Sequence, residues 1–292
     1  MMYNKPMNIR ELFDNKKCVL SFEVFPPKKV SSIDAVYEVL DNLCKLKPDY
    51  MSVTYSAGGS DNCLETLRMC SVIKERHNVE PLMHLTCVGT RTSEIESILK
   101  DLKNKKINNI LALRGDKRDD AVYELKYASE LVKIINNTGG FNVVGACYPE
   151  GHIECENMDM DIENLKQKVD LGVTHLNTQM FFDNDDFYKF MEKIRKAGIK
   201  VPVQAGIMPI VRQNQIDRIV TLAGVKIPSR LSRLIAKYSD NPEALYDAGV
   251  AYATEQISDL IAGGTQGIHL YVMNKYDVAK RITDNVRNLL NS

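Results

Sequence analysis

Eight short apolar runs recur along the chain, at residues 19–25, 50–55, 82–87, 109–113, 142–148, 175–179, 201–207 and 267–272. Their length and their branched and aromatic side chains read as strands. Between them, apolar positions repeat at helical spacing. Ser31 and Asp34 open a segment with Ile33, Val36, Leu40 and Cys44 on one face, and Pro48 follows its end. Ser93 and Glu96 have the spacing of a capping box before Ile95, Ile98, Leu99 and Leu102. Further helical sets are Tyr127, Ala128, Leu131, Val132 and Ile135; Ile162, Leu165 and Val169 before Gly172; Phe187, Phe190, Met191 and Ile194 before Gly198; and Val278, Ile282, Val286 and Leu289. Strands that alternate with helices pair in parallel through right-handed crossovers. Eight of them predict a closed (β/α)8 TIM barrel, one domain over residues 1–292. Residues 7–16, with Ile9, Leu12 and Phe13, predict a leading helix that plugs one end. The stretch 213–261 exceeds one helix. It reads as a helix, an insertion around Ile227-Pro228 and a second helix from Pro242, an extra helical segment between strands 7 and 8.

Side chains alternate faces along a strand. Leu20, Phe22 and Val24 oppose Ser21 and Glu23; Met51 and Val53 oppose Ser52 and Thr54; Met83 and Leu85 oppose His84 and Thr86. Later, Leu176 and Thr178 oppose Asn177 and Gln179, Gln204 interrupts an apolar run, and Ile268 and Leu270 oppose His269 and Tyr271. One set is apolar, as packing on helices requires. The other points into the barrel and is polar toward the C-terminal strand ends, where barrel enzymes place their chemistry. One such Ser or Thr is ordinarily just a satisfied buried group; the same parity in six or seven strands predicts an active site.

Composition narrows the class. The 292 residues carry 38 basic and 38 acidic side chains, so the formal charge is zero. That balance argues against nucleic-acid binding and against a polybasic membrane surface. No run approaches the ~18 apolar residues of a membrane helix, and no apolar signal core follows Met1-Met2-Tyr3-Asn4-Lys5-Pro6, so a cytoplasmic protein is expected. Seven cysteines without a Cys-x-x-Cys, and five histidines without a His-x-x-x-His, predict no disulfide framework and no metal site.

The sharpest local signal is Phe22-Glu23-Val24-Phe25-Pro26-Pro27. A carboxylate embedded in an aromatic strand is costly to ionise, which suits a general acid near neutral pH. A structural ion pair with a lysine or arginine is the equal alternative. Leu113-Arg114-Gly115-Asp116 follows the fourth strand, where a glycine between opposite charges allows close ligand approach or simply makes a turn. Tyr148-Pro149-Glu150-Gly151-His152 follows the fifth and offers rings for stacking or hydrogen bonding. Asp161, Asn164 and Lys168 share one helix face, which by itself reads equally as a solvated surface. Gly-x-Gly-x-x-Gly and Walker A patterns are absent.

These motifs, with Ser52-Val53-Thr54-Tyr55, His84-Leu85-Thr86-Cys87, Ala112-Leu113 and Thr178-Gln179-Met180-Phe181-Phe182-Asp183, occur in the order and spacing of one family. Over nearly its whole length the chain resembles bacterial-type methylenetetrahydrofolate reductase. The resemblance implies a tightly but non-covalently bound FAD, NADH or NADPH as co-substrate, and ping-pong reduction of 5,10-methylenetetrahydrofolate to 5-methyltetrahydrofolate. That would place the chain in one-carbon metabolism and methionine biosynthesis. By matched position it implies Glu23 as general acid and Asp116 as a charge beside flavin and pterin, both also touching substrate. It implies flavin contacts from Thr54, Tyr55, Ala57, His84, Leu113, Arg114, Gly115, Asp116, Tyr127, Ala128, Tyr148, His152, Asp161, Asn164 and Lys168. Arg114 and Lys168 would offset the pyrophosphate charge in place of a glycine-rich loop. Gln179 and Gln215 match folate- or nicotinamide-contacting positions.

Five positions depart from the family pattern. Lys275 stands where an arginine often meets the folate benzoate or glutamate end, and it lacks the bidentate fork. Ile219 replaces a phenylalanine that stacks on NADH in some relatives. Ile153 follows His152 where proline is frequent, and Gln204-Ala205 replaces a more apolar stretch before Gly206. Three other readings fit the same barrel: a reductase subunit that needs a partner protein or another electron donor, a flavin-free folate-binding barrel that transfers a methyl group, and a non-enzymatic scaffold or inactive subunit of a redox complex; a homo-oligomer or a partner redox subunit is compatible with the chain.

Overall fold

The computed structural model describes residues 7–26, 33–55, 60–117, 121–216, 219 and 224–292. Ser31, Ala57 and Pro27 lie outside the described residues. The strands are β1 (Val19–Val24), β2 (Tyr50–Val53), β3 (Glu80–Thr86), β4 (Asn109–Leu113), β5 (Asn142–Cys147), β6 (Val173–Thr178), β7 (Val203–Ile207) and β8 (Gly267–Tyr271). They pair in parallel, each with the next, and β8 closes on β1. This is a (β/α)8 TIM barrel, as the alternation of runs predicts.

The helices that cover it are α2 (Ile33–Lys45), α3 (Ser60–His77), α4 (Thr92–Asn104), α5 (Ala128–Thr138), α6 (Met158–Asp170), α7 (Asn184–Lys196), α8 (Ser229–Tyr238), α9 (Pro242–Ala262) and α10 (Tyr276–Val286). Local chemistry sets their ends. Asn157 accepts from Met160 N (2.9 Å), Asp183 from Asp185 N (3.0 Å), and Asn241 from Ala244 N (3.1 Å) with Pro242 in the first turn. The capping box sits two residues ahead of the spacing read from Ser93 and Glu96. Glu94 accepts the Arg91 N–H (2.9 Å), and α4 begins at Thr92, whose own N–H is taken by Glu124 (2.8 Å). Between β7 and β8 the chain makes the expected extra helical segment, with α8 lying between Pro228 and Pro242.

Outward side chains such as Leu20, Phe22, Met83, Leu85, Leu176 and Leu270 join the helices in one large core. The barrel interior is layered differently. At its N-terminal end a single 3-10 turn (Ile9–Glu11) runs into the short helix α1 (Leu12–Asn15). Ile9 and Phe13 there pack on Val19, Tyr50, Leu82, Leu111 and Val144. Asn109 fixes this plug: its Oδ1 accepts from Ile9 N (3.0 Å) and its Nδ2 donates to Met7 O (3.0 Å). Above the plug the lining turns polar, with Ser21, Ser52, His84, Asn177, Gln204 and His269 all buried. Five cysteines are buried as small hydrophobes and all seven are free thiols.

His175 is the exception in the lower layer. It is fully buried beside the Phe13 ring (centroids 5.0 Å), and among the described residues neither ring nitrogen has a hydrogen-bond partner. Burial pushes its pKa down to about 3. The unfolded chain binds this proton near pH 6.5, so stability is lost as pH falls from there toward the folded value. One such histidine weakens the fold by about 2 kcal/mol between pH 7 and pH 5. His175→Leu should lack that share of the decline. Urea midpoints of both proteins at the two pH values test it, and parallel losses would contradict it.

Candidate active site

The inward parity brings one carboxylate to the C-terminal rim. Glu23 is the penultimate residue of β1, with 7 % of its surface exposed. Its Oε2 lies 3.5 Å from His269 Nε2 and 3.6 Å from His84 Nε2. No lysine or arginine among the described residues pairs with it. The ion-pair alternative is therefore replaced by two imidazoles, one from β3 and one from β8. His84 Nε2 is also hydrogen-bonded to Ser52 Oγ. Burial pushes the His84 pKa down to about 4 despite the opposing pull of Glu23, so its ring is neutral at pH 7.

Tyr271, two residues beyond His269 on the same face of β8, closes one side. Its ring meets that of His269 edge-on (5.1 Å), and its hydroxyl donates to Thr178 O (2.7 Å). Gly206 makes room for it: a Cβ there would fall 2.7 Å from the Tyr271 ring and 2.4 Å from Thr178 O. Burial raises the Tyr271 pKa well above its usual value, with the Glu23 charge adding to it. Its hydroxyl stays neutral. Gln179 follows directly, its Oε1 turned back to Met180 N (2.9 Å).

A second cluster forms on the loops after β4 and β5. Arg114 grips Glu154 with both terminal nitrogens (2.7 and 2.8 Å), and Lys117 reaches the same carboxylate (2.6 Å). Arg114, then Lys117, hold the Glu154 pKa down at about 2. Gly115 carries a positive φ of 88°, with Thr86 Cβ 3.1 Å from where a Cβ would stand. Asp116 is exposed beside it. The Tyr148 and His152 rings meet edge-on (4.7 Å), and Asp161 accepts the His152 backbone N–H (3.1 Å). Burial pushes Tyr148 up to about 12, with Asp161 adding to it, and pushes His152 down, aided by Arg114. Lys168 donates to Ala146 O (2.9 Å), and burial lowers its pKa. Burial also raises that of Asp161.

The remaining expected residues are more dispersed. Thr54 and Tyr55 follow β2 and are half-buried, and Leu113 ends β4. Tyr127 and Ala128 mark the start of α5, with the Tyr127 side chain 65 % exposed. Asn164 is exposed, whereas Asp161 and Lys168 on the same helix are half-buried. Gln215 braces the loop after β7, accepting from Val211 N (2.9 Å) and donating to Pro209 O (3.3 Å). Lys275 precedes α10, where burial and then the Arg212 charge lower its pKa. Ile219 is buried with Phe182 and Met208. His269 and Glu154 were not among the expected site residues. Inward parity marks His269, but no local pattern ties Glu154 to an arginine forty residues earlier.

A barrel whose polar, partly buried side chains gather at the C-terminal strand ends, around an acid and a cluster able to take an anion, defines an enzyme. The methylenetetrahydrofolate reductase family model matches residues 8–287, and the chain belongs to that family of oxidoreductases. It is 32% identical over 263 residues to 5,10-methylenetetrahydrofolate reductase of Escherichia coli, covering 90% of this chain and 88% of that protein. It is 35% identical to methylenetetrahydrofolate reductase 1 of Schizosaccharomyces pombe, covering 92% of this chain and 46% of the longer relative. Among solved structures, an uncharacterized Clostridium thermocellum protein that binds two copies of 5-methyl-5,6,7,8-tetrahydrofolic acid shares the fold. Its TM-score is 0.69 at 13% identity, over 96% of this chain and 99% of that one. Among the described residues no helix is long and apolar enough to cross a membrane.

Proposed function

We propose that this chain reduces 5,10-methylenetetrahydrofolate to 5-methyltetrahydrofolate with bound FAD, taking hydride from NADH or NADPH, the two substrates using one site in turn. The observation that carries the reading is Glu23, nearly buried at the barrel rim and faced by two histidines rather than a fixed cation. The second cluster supports the cofactor. Arg114, Lys117 and Lys168 supply the cations that a pyrophosphate needs, and Tyr148 and His152 supply rings for a flat heterocycle. Arg114 already holds a forked anion in Glu154, and a phosphate presents the same acceptor pattern. When bound, FAD would supply the hydride-transfer chemistry that no side chain can.

The protein's own groups do the rest. Glu23 donates a proton to N10 of the folate as the five-membered ring opens. The resulting 5-iminium cation takes the hydride at its methylene carbon, and Glu23 regains a proton from solvent. Asp116 offsets the cation's charge. Gln179 orients the ring system, and Lys275 offers a point charge to the folate carboxylates.

Nicotinamide oxidation and folate reduction, measured separately and anaerobically on the FAD-loaded protein, test the roles. Glu23→Gln should keep the first and slow the second by roughly a hundredfold or more; folate reduction at the wild-type rate would remove Glu23 as the acid. Asp116→Asn should slow folate reduction about tenfold, with a smaller effect on nicotinamide oxidation. Equal slowing of both half-reactions would contradict the charge-offsetting role.

A further inference from the structure

Gln204 is the side chain that interrupts the apolar run of β7, and nothing in the proposed reaction uses it. It is fully buried in the middle of the barrel. Its amide can be oriented without ambiguity. Nε2 faces two backbone carbonyls, Ile268 O at 2.8 Å and Val19 O at 3.3 Å, so it must be the donor end. Oε1 accepts the Tyr50 hydroxyl (2.6 Å). The other Nε2 hydrogen goes to Ser21 Oγ at 2.8 Å. Ser21 has one hydrogen of its own. The Tyr50 oxygen already accepts from Asn177 Nδ2 (3.2 Å), whereas His269 Nδ1 lies only 2.6 Å from Ser21 Oγ. With its hydrogen given to Nδ1, the shorter of these contacts, Ser21 leaves the lone pair there and the ring hydrogen on Nε2. That nitrogen is the one 3.5 Å from Glu23 Oε2.

We propose that Gln204 is a positioning residue that acts through Ser21 to lock His269 in its Nε2–H form and so aims a donor at the Glu23 carboxyl. The amide end pinned against two carbonyls makes Gln204 a donor to Ser21, and the short Ser21–Nδ1 contact is the one the serine hydrogen fills. A hydrogen bond from Nε2 favours the ionised form of Glu23 after its proton has left. In the opposite tautomer a lone pair would face the carboxylate and oppose proton release. The relay therefore bears on the ease with which the acid gives up its proton, which rests on the role proposed for Glu23. The other titratable groups facing this pair are His84 from β3, Tyr50 from β2, His175 from β6 and Tyr271 from β8. Tyr271 turns its hydrogen away, to Thr178 O.

The relay can be read without turnover. The chain has only five histidines, so nitrogen NMR of protein labelled in its imidazoles resolves each ring, with His269→Gln identifying the signal. At about pH 8.5, well above the ordinary imidazole range, wild type should show the His269 ring hydrogen on Nε2 alone. Ser21→Ala, which leaves Gln204 in place, should lose that single form, and Gln204→Met should do the same if it folds. In the loaded enzyme Ser21→Ala should also move the Glu23 limb of the folate pH profile by roughly half a unit or more. His269→Gln added to Ser21→Ala, which can place an amide N–H near the same point, should return that limb toward wild type. A ring hydrogen on Nδ1 of His269 in wild type at that pH would overturn the relay, as would a tautomer unchanged in Ser21→Ala. The nitrogen shifts judge the relay alone. Should Glu23→Gln reduce folate normally, the acid role fails while the relay is still decided by those shifts.

Discussion

A carboxyl group enclosed by parallel strands has to be answered by its neighbours, and in this barrel Glu23 is answered by two imidazoles. That constraint shapes what lies beneath it. His84 and His269 need partners in turn, and Ser52 and Ser21 supply them. Ser21 needs a donor, and Gln204 supplies it. Tyr50 and Asn177 complete the set above the apolar plug of Ile9 and Phe13. A barrel filled with branched aliphatics would be simpler to pack. This one carries a hydrogen-bonded column through its middle, because an unpaired polar group there costs about 1–3 kcal/mol.

The site divides the labour between rigid and adaptable parts. Glu23, His84 and His269 project from strand interiors, whose positions the closed sheet fixes. Arg114, Lys117, Glu154 and His152 sit on connecting loops, where ion pairs can exchange partners. Chemistry at a single atom needs the first kind of support. Gripping and releasing a charged cofactor or substrate suits the second, where the Arg114–Glu154 fork is partly exposed and replaceable by another anion.

Much of this was legible in the residues. Two periods, one of strands and one of helices, fixed the barrel, and parity along β1, β3 and β8 put Glu23, His84 and His269 on one interior surface. Helix ends were read well where a glycine stops the helix, as at Gly172 and Gly198, and less well at α4, where Glu94 rather than Glu96 reaches back. Contacts that join distant loops left no pattern. The Arg114–Glu154 pair depends on how two connections fold over the rim. Gln204 stood out in sequence only as a break in an apolar run; its meaning lies in the two carbonyls that orient its amide.

The account stands on one claim above the others: that a flavin held at this rim passes reducing equivalents from a nicotinamide to a folate. The most direct measurement is an anaerobic visible spectrum of the purified protein supplied with FAD, taken before NADH or NADPH, after it, and again after 5,10-methylenetetrahydrofolate. The account predicts a protein-bound flavin band that bleaches with the nicotinamide and returns with the folate as 5-methyltetrahydrofolate appears. A protein that retains no flavin would contradict it, and so would a bleached flavin that the folate cannot reoxidise.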